Sequence, residues 1–198
     1  MKILGITGPS GAGKTTITEI LKNTYNSYII NADKVARILS NDNQTEYFKE
    51  IVNLFGNEIV KDDDGQLDRK MIANKIYNDN QKRENLNELT FKYVVEEIHR
   101  LIENAKKLEF DYIVIDAPLL YEAKLEKKCD YVIAVIANYK EKIFRICQRD
   151  GISKETARQR LEIQKSNDFF EKNADFVIYN DTSLEKLENS LKEIIERI

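Results

Sequence analysis

Hydrophobic and polar positions follow two patterns that alternate along the chain. Short apolar runs, typical of buried strands, stand at Lys2–Thr7, Tyr28–Ile30, Tyr112–Asp116, Tyr131–Ile136 and Phe176–Tyr179. Between these runs the apolar residues recur three or four positions apart, which is the spacing of helices with one buried face. Since strands alternate with helices, the pattern predicts an α/β fold with a five-stranded parallel sheet flanked by helices.

The predicted helices differ in length. One covers residues 14–23, and residues 33–108 are mostly helical apart from an aspartate-rich turn at 62–65. A charged helical segment runs from 140 to about 165, and a helix over 184–198 closes the chain. Its apolar face is formed by Leu184, Leu187, Leu191, Ile194 and Ile195. We therefore expect a single domain over 1–198, with a core at about 1–40 and 110–198 and a helical subdomain at about 41–109.

Composition narrows the class of protein. Thirty-one basic and 34 acidic residues in 198 give a net charge of −3, so no basic field for nucleic acid is expected. No apolar stretch approaches the roughly 18 residues of a membrane-spanning helix, and the N-terminus lacks the features of a signal peptide. Two cysteines do not make a disulfide framework. These observations predict a cytoplasmic protein with no nucleic-acid or membrane partner, and they leave its oligomeric state open.

A phosphate-binding motif follows the first predicted strand. Residues 8–15 read Gly-Pro-Ser-Gly-Ala-Gly-Lys-Thr and fit G-x-x-x-x-G-K-S/T. Glycines let main-chain amides approach an anion, and the helix that follows directs its positive end at the same point. Lys14 is expected to reach the β- and γ-phosphates of a nucleoside triphosphate, and the Thr15 hydroxyl to hold Mg²⁺. The predicted ATP-binding residues here are Gly8, Gly11, Ala12, Gly13, Lys14, Thr15 and Thr16. A chance match is less favoured, because the motif joins a predicted strand to a predicted helix.

Two acidic residues follow predicted strands, where ligands bind in open α/β sheets. Asp116 ends the run Ile113–Asp116 and can orient Mg²⁺, or it can cap the turn that follows. Asp33 follows the second strand and can take the proton of an attacking hydroxyl. On local sequence alone Asp33 could equally be the N-cap of the helix that carries Val35, Ile38 and Leu39.

The segments around the motif indicate what kind of protein uses the bound triphosphate. Residues 138–141 lack the order and the Asp of the N-K-x-D segment with which GTPases recognise guanine. A small chain with a helical insertion suits a small-molecule kinase. The arginine-rich segment at about 145–168 suits a lid over the nucleotide, although such a segment can also be a solvated helix face. Arg145 and Arg149 share one helical face.

Together these segments resemble the dephospho-CoA kinase family. Residues 3–8 lead into the loop, and Asn31–Arg37 is similar to the family's D-A-D-x-x-A-R. Phe55-Gly56 and Asp64–Arg69 resemble F-G and D-G-x-L-D/N-R, and Asp116–Glu122 resembles D-x-P-L-L-F/Y-E. Residues 145–150, Gln164 and 174–180 follow the family's lid and last strand.

The resemblance implies a reaction and roles for residues. The family transfers the γ-phosphate of ATP to the 3′-hydroxyl of dephospho-CoA, the last step of coenzyme A synthesis, with Mg²⁺ as cofactor. Asp33 would be the base, Asn180 would lie near adenine, and Arg145 and Arg149 would belong to the ATP lid. The acceptor side would be lined by Leu119, Leu120 and Glu122, while Arg69 would line it or brace the subdomain.

The chain departs from the family pattern at two places. The family's loop usually reads T-G-G-I-G-S/C-G-K-S, whereas Pro9-Ser10 and Thr15 are closer to nucleoside and nucleotide kinases. Thr90-Phe91 stands where the family has His-Pro. A nucleoside or nucleotide kinase is therefore the alternative within the same class. A nucleotide-binding regulator without phosphotransfer is the alternative from another class.

Overall fold

The computed structural model describes residues 1–61, 63–77, 79–181 and 183–198. Its five strands are β1 (Lys2–Thr7), β2 (Ser27–Asn31), β3 (Tyr112–Asp116), β4 (Tyr131–Ile136) and β5 (Phe176–Tyr179). They form one sheet in the order β2-β3-β1-β4-β5, and β1 pairs in parallel with both β3 and β4. The predicted five-stranded parallel sheet is confirmed. Asp62 of the predicted turn at 62–65 lies outside the described residues.

Helices fill the intervals between strands. They are α1 (Lys14–Thr24), α2 (Ala32–Asn41), α3 (Glu46–Phe55), α4 (Arg69–Tyr77), α5 (Asn80–Ala105), α6 (Tyr139–Asp150), α7 (Lys154–Glu162), α8 (Asn167–Asn173) and α9 (Leu184–Ile195). Short 3₁₀ turns cover Asn57–Ile59 and Leu125–Lys128. In the described residues, no helix is both long and apolar enough to cross a membrane.

The charged helical segment predicted over residues 140–165 consists of two helices, α6 and α7. Gly151 ends α6 in the left-handed conformation (φ 64°), and the Ser153 side chain accepts a hydrogen bond from the N–H of Thr156 to begin α7. A left-handed residue and a new N-cap stop the helical hydrogen-bond ladder even though the charge pattern continues through it. The short helix α8 that follows was not predicted.

The first of two compact units comprises Met1–Ile30 and Ala105–Ile198. Its core places Leu4, Ile6, Val114, Ile133 and Val135 of the sheet against α1 and α9. Because helices cover the sheet, the strands are apolar without alternation. The predicted apolar face of α9 is buried at Leu187, Leu191, Ile194 and Ile195, whereas Leu184 is exposed.

The second compact unit comprises Asn31–Asn104. Its core contains Tyr47, Phe48, Ile51, Phe55, Ile59, Leu67 and Ile72. The helix α5 runs unbroken through Thr90-Phe91, because Phe91 keeps the main-chain N–H that a proline lacks. The Thr90 hydroxyl donates to the carbonyl of Leu86 (2.6 Å) and shares a hydrogen bond with the Tyr47 hydroxyl (2.9 Å).

Candidate nucleotide-binding site

The loop between β1 and α1 has a backbone that only glycine adopts readily. Gly8 has φ 140° and Gly13 has φ 96°. A Cβ at Gly8 would lie 2.0 Å from the carbonyl oxygen of Val135, and one at Gly13 would lie 1.9 Å from the side-chain nitrogen of Asn180. Gly8 therefore excludes a side chain by conformation and by space, whereas at Gly13 the left-handed conformation is unfavourable and the Asn180 side chain would have to move. The loop is held in close contact with β4 and with the residue after β5.

The helix α1 begins differently from its neighbours. Gly13 is its N-cap and supplies no side-chain hydrogen bond. By contrast, Asn, Thr or Ser side chains cap α2, α3, α6, α7, α8 and α9. Gly13 therefore supplies no side-chain oxygen that would compete with a ligand for the first amides of α1. Together with the helix dipole, they form a site suited to a phosphate group.

The predicted catalytic and metal-binding groups lie around this helix start. Lys14 donates from Nζ to the carbonyls of Gly8 (2.8 Å) and Pro9 (3.2 Å), so its ammonium group lies over the loop. Thr15 is exposed in the first turn of α1, and Thr16 is half-buried. Asp116 is buried at the end of β3, level with Ile6 on β1.

A hydroxyl and a carboxylate supply the oxygen ligands that Mg²⁺ prefers, so Thr15 and Asp116 fit this ion. No cluster of three His, Cys, Asp or Glu residues that could hold a metal occurs within the described part of the chain. Any Mg²⁺ at this site would therefore need ligands from the nucleotide and water as well, which is usual for this ion.

Two side chains from the later half of the chain hold the loop from outside. Asn180, 8% exposed, donates from Nδ2 to the carbonyl of Ala12 (2.8 Å). Arg145 donates to the carbonyls of Gly11 (3.4 Å), Ala12 (3.5 Å) and Asn180 (2.9 Å). These bonds satisfy loop carbonyls that the helix ladder does not use. The predicted contacts of both residues with ATP stay predictions.

The predicted lid also contacts the loop. The main-chain N–H of Ser10 donates to Oε1 of Gln164 (2.8 Å), and Arg149 donates to the Ser10 hydroxyl (3.3 Å). Gln164 is one of the residues that follow the family's lid pattern in the sequence. The contact joins residues 154 positions apart, and no local pattern signals it.

A small apolar core and a charged network support the α6–α7 pair. The core contains Ile143, Ile146, Ala157 and Leu161. Asp150 pairs with Arg149 (2.7 Å) and Arg160 (2.7 Å). The hydrogen bond from Arg149, followed by the charges of both arginines, lowers the pKa of the Asp150 carboxyl. The lid therefore keeps a fixed carboxylate between two of its arginines.

The residues expected on the acceptor side in the first unit lie in different environments. Leu119 is 44% exposed and Glu122 is exposed, so both can contact a ligand. Leu120 has no exposed surface and packs against Gly5. In this position Leu120 is a core residue.

In the second unit, α2 begins with Asn31 as its N-cap, and the side chain of Asn31 accepts from the N–H of Lys34 (2.8 Å). The alternative that Asp33 is the N-cap is therefore wrong. Asp33 lies exposed in the first helical turn. Arg69 donates to the Ser40 hydroxyl (2.6 Å) and to Oδ1 of Asn41 (3.2 Å), which braces the end of α2.

Comparison with known proteins supports the expectation from sequence. The family model described as dephospho-CoA kinase matches residues 2–186. The dephospho-CoA kinase of Corynebacterium glutamicum is 33% identical over 195 residues, covering 98% of each chain. A crystal structure of a protein from Thermus thermophilus superposes with a TM-score of 0.81 at 28% identity, covering 100% of this chain and 97% of the other. The fold is also similar to that of the dephospho-CoA kinase from Campylobacter jejuni, with a TM-score of 0.70, 24% identity and coverage of 98% and 96%.

Proposed function

Because the chain belongs to the dephospho-CoA kinase family, we propose that it transfers the γ-phosphate of ATP to the ribose 3′-hydroxyl of dephospho-CoA. The products are coenzyme A and ADP, and the reaction is the last step of coenzyme A biosynthesis. The match of the family model over residues 2–186 carries this proposal. The alternative of a nucleoside or nucleotide kinase is not favoured, because it rests on a few positions of the loop and on Thr90-Phe91, whereas the family model matches residues 2–186.

The loop binds and orients the triphosphate. Its main-chain amides and the start of α1 hold the phosphates, and Lys14 turns from the Gly8 and Pro9 carbonyls toward the γ-phosphate. Arg145 and Asn180 both donate to the Ala12 carbonyl and so support the shape of the loop. Positioned donors of this kind stabilise the charge that develops during phosphoryl transfer.

Mg²⁺ is expected to be held by Thr15 and Asp116 together with nucleotide oxygens. When bound, the ion neutralises phosphate charge. The chain's own contribution here is to hold a hydroxyl and a buried carboxylate at the ends of the adjacent elements α1 and β3.

The acceptor hydroxyl loses its proton to Asp33 in this proposal. The carboxylate of Asp33 is exposed, and since Asn31 caps α2, Asp33 is not committed to the helix cap. Its oxygens can therefore accept a hydrogen bond from a bound hydroxyl and then the proton.

We also place the protein in the cytoplasm. Cys129 and Cys147 are both free thiols, which is usual in a reducing compartment.

The test is release of ADP from ATP and Mg²⁺ with a panel of acceptors: dephospho-CoA, uridine, cytidine and nucleoside monophosphates. We expect ADP release only with dephospho-CoA, and its loss in Lys14→Ala. Lys22→Ala, which removes an exposed lysine from the same helix, should keep the activity. ADP release with a nucleoside in place of dephospho-CoA would contradict the proposal, and so would saturable ATP binding without release for any acceptor.

A further inference from the structure

A basic cleft lies in the second unit, beside the end of α2. It encloses about 470 Å³. Four cationic side chains line it, those of Arg37, Lys61, Arg69 and Lys70, against one carboxylate, that of Asp68. Asn41 at the end of α2 lines it as well.

Among the described residues, only part of the positive charge of this cleft is paired with carboxylates. Asp68 accepts hydrogen bonds from the N–H groups of Lys70 (2.9 Å) and Met71 (3.0 Å), so its carboxylate is used at the start of α4. Lys61 pairs with Asp64 at 3.8 Å. Within the described part of the chain, no carboxylate forms an ion pair with Arg37, Arg69 or Lys70. A cleft with three uncompensated cations attracts an anion with more than one charge.

Arg69, which lines the cleft, has its guanidinium held by two hydrogen bonds. The bonds from Arg69 to Ser40 and Asn41 both use its Nη2. A guanidinium has five N–H donors, so donors remain for a ligand. A planar donor group held in one orientation suits the oxygens of a phosphate group.

The register of α2 relates the cleft to Asp33. Asp33, Arg37 and Asn41 are spaced at i, i+4 and i+8, so they share one face of the helix. With a rise of about 1.5 Å per residue, Arg37 lies about 6 Å and Asn41 about 12 Å along the axis from Asp33. The face that carries the proposed base therefore leads directly to the cleft.

We propose that this cleft binds the 5′-diphosphate of the acceptor, with Arg37, Arg69 and Lys70 as its ligands. The inference rests on the proposed function. In dephospho-CoA the diphosphate and the 3′-hydroxyl are attached to the same ribose. The distance between these two groups is comparable to the rise of one helical turn. An acceptor whose hydroxyl is at Asp33 can thus place its diphosphate beside Arg37. The cleft selects an acceptor with a diphosphate over a plain nucleoside.

The experiment measures binding of dephospho-CoA by calorimetry, with the ATP site saturated by a non-hydrolysable ATP analogue. The variants are Arg37→Gln and Lys70→Gln, in the full chain. Each removes one charge-assisted hydrogen bond to phosphate, so we expect affinity to fall about tenfold or more. Adenosine, which lacks the diphosphate, is the second probe, and its affinity should be unchanged by either variant.

The matched control is Lys49→Gln, which removes an exposed lysine of α3 in the same unit, where it pairs with Glu46. It should bind dephospho-CoA like the unmodified chain. Lys70 is exposed, so Lys70→Gln decides the matter if Arg37→Gln does not fold. Equal affinity for dephospho-CoA in the unmodified chain and in Lys70→Gln would overturn the inference, and so would an equal loss for adenosine. Calorimetry measures binding without turnover. Failure of the proposed function would therefore be seen separately, as binding of dephospho-CoA without release of ADP in the kinase assay.

Discussion

Asn180 donates its side-chain amide to the main-chain carbonyl of Ala12 across 2.8 Å, although 168 positions separate the two residues. Its own main-chain N–H donates to the carbonyl of Ile136 at the end of β4 (2.7 Å). The residue after the last strand therefore fixes the loop after the first strand. Gly13 leaves the space through which the amide reaches Ala12, since a Cβ there would meet Asn180 at 1.9 Å.

Asn180→Ala should lower stability and weaken ATP binding together. The change leaves the buried carbonyl of Ala12 without this donor, which costs about 1–3 kcal/mol. For a chain of this size, that corresponds to a fall in Tm of roughly 2–4 °C per kcal/mol. KM for ATP should rise because the loop loses its outer support. Asn173→Ala is the control, since it removes a similar hydrogen bond, from an exposed amide to the carbonyl of Phe169. An unchanged Tm and KM in Asn180→Ala would show that the loop holds its shape without Asn180.

Gly8→Ala and Gly151→Ala should differ sharply, although both place a Cβ at positive φ. At Gly8 the new atom would lie 2.0 Å from the Val135 carbonyl oxygen, so β4 or the loop must move. At Gly151 nothing lies within 4 Å, so only the left-handed backbone strain of about 1–2 kcal/mol remains. We expect Gly8→Ala to lose ATP binding and a large part of its stability in thermal unfolding, and Gly151→Ala to keep ATP binding. Normal ATP binding by Gly8→Ala would mean that the loop accommodates a side chain.

Asp33→Asn and Asn31→Ala should separate catalysis from capping. Asp33→Asn keeps the size of the side chain but removes the base, so kcat should fall about 10²–10⁴-fold while KM for ATP stays the same. Asn31→Ala removes the acceptor for the Lys34 N–H and should cost about 0.5–2 kcal/mol of stability. Steady-state kinetics and thermal unfolding of both variants check this. Unchanged kcat in Asp33→Asn would remove the residue from the mechanism.

Cys129 should make the protein less stable above pH 9. Burial, followed by the nearby charges of Glu126, Asp130 and Asp175, raises the pKa of its thiol from 9.0 to about 12. Between these values the unfolded chain ionises the thiol and the folded chain does not. The contribution to stability is therefore complete below pH 9 and is lost as the pH rises toward 12. We expect Tm to fall less steeply with pH over this range in Cys129→Ala, and a thiol reagent at pH 8 to leave Cys129 unmodified until the chain unfolds. Labelling of Cys129 in the native protein would contradict its assigned environment.

Local patterns were sufficient for much of the fold. The apolar runs predicted the five strands, and the glycines with Lys14 and Thr15 located the loop before α1. They left open what a single backbone conformation decides. Gly151 divides the charged segment into α6 and α7, and Asn31 rather than Asp33 caps α2. The first depends on the main-chain angles of one residue, and the second on which of two nearby polar side chains bonds to the start of the helix. A pattern of apolar positions encodes neither.

The sequence by itself determined the order of the strands and helices and the position of the phosphate loop, because these depend on residues that are neighbours along the chain. Only the tertiary structure decided which distant side chains hold that loop, and it selected Asn180, Arg145 and Gln164. It also buried Leu120 completely and grouped Arg37, Arg69 and Lys70 around one cleft. The physical reason is that such contacts form only when packing brings separate elements together, and the sequence around a residue does not say which distant carbonyl or amide it will meet.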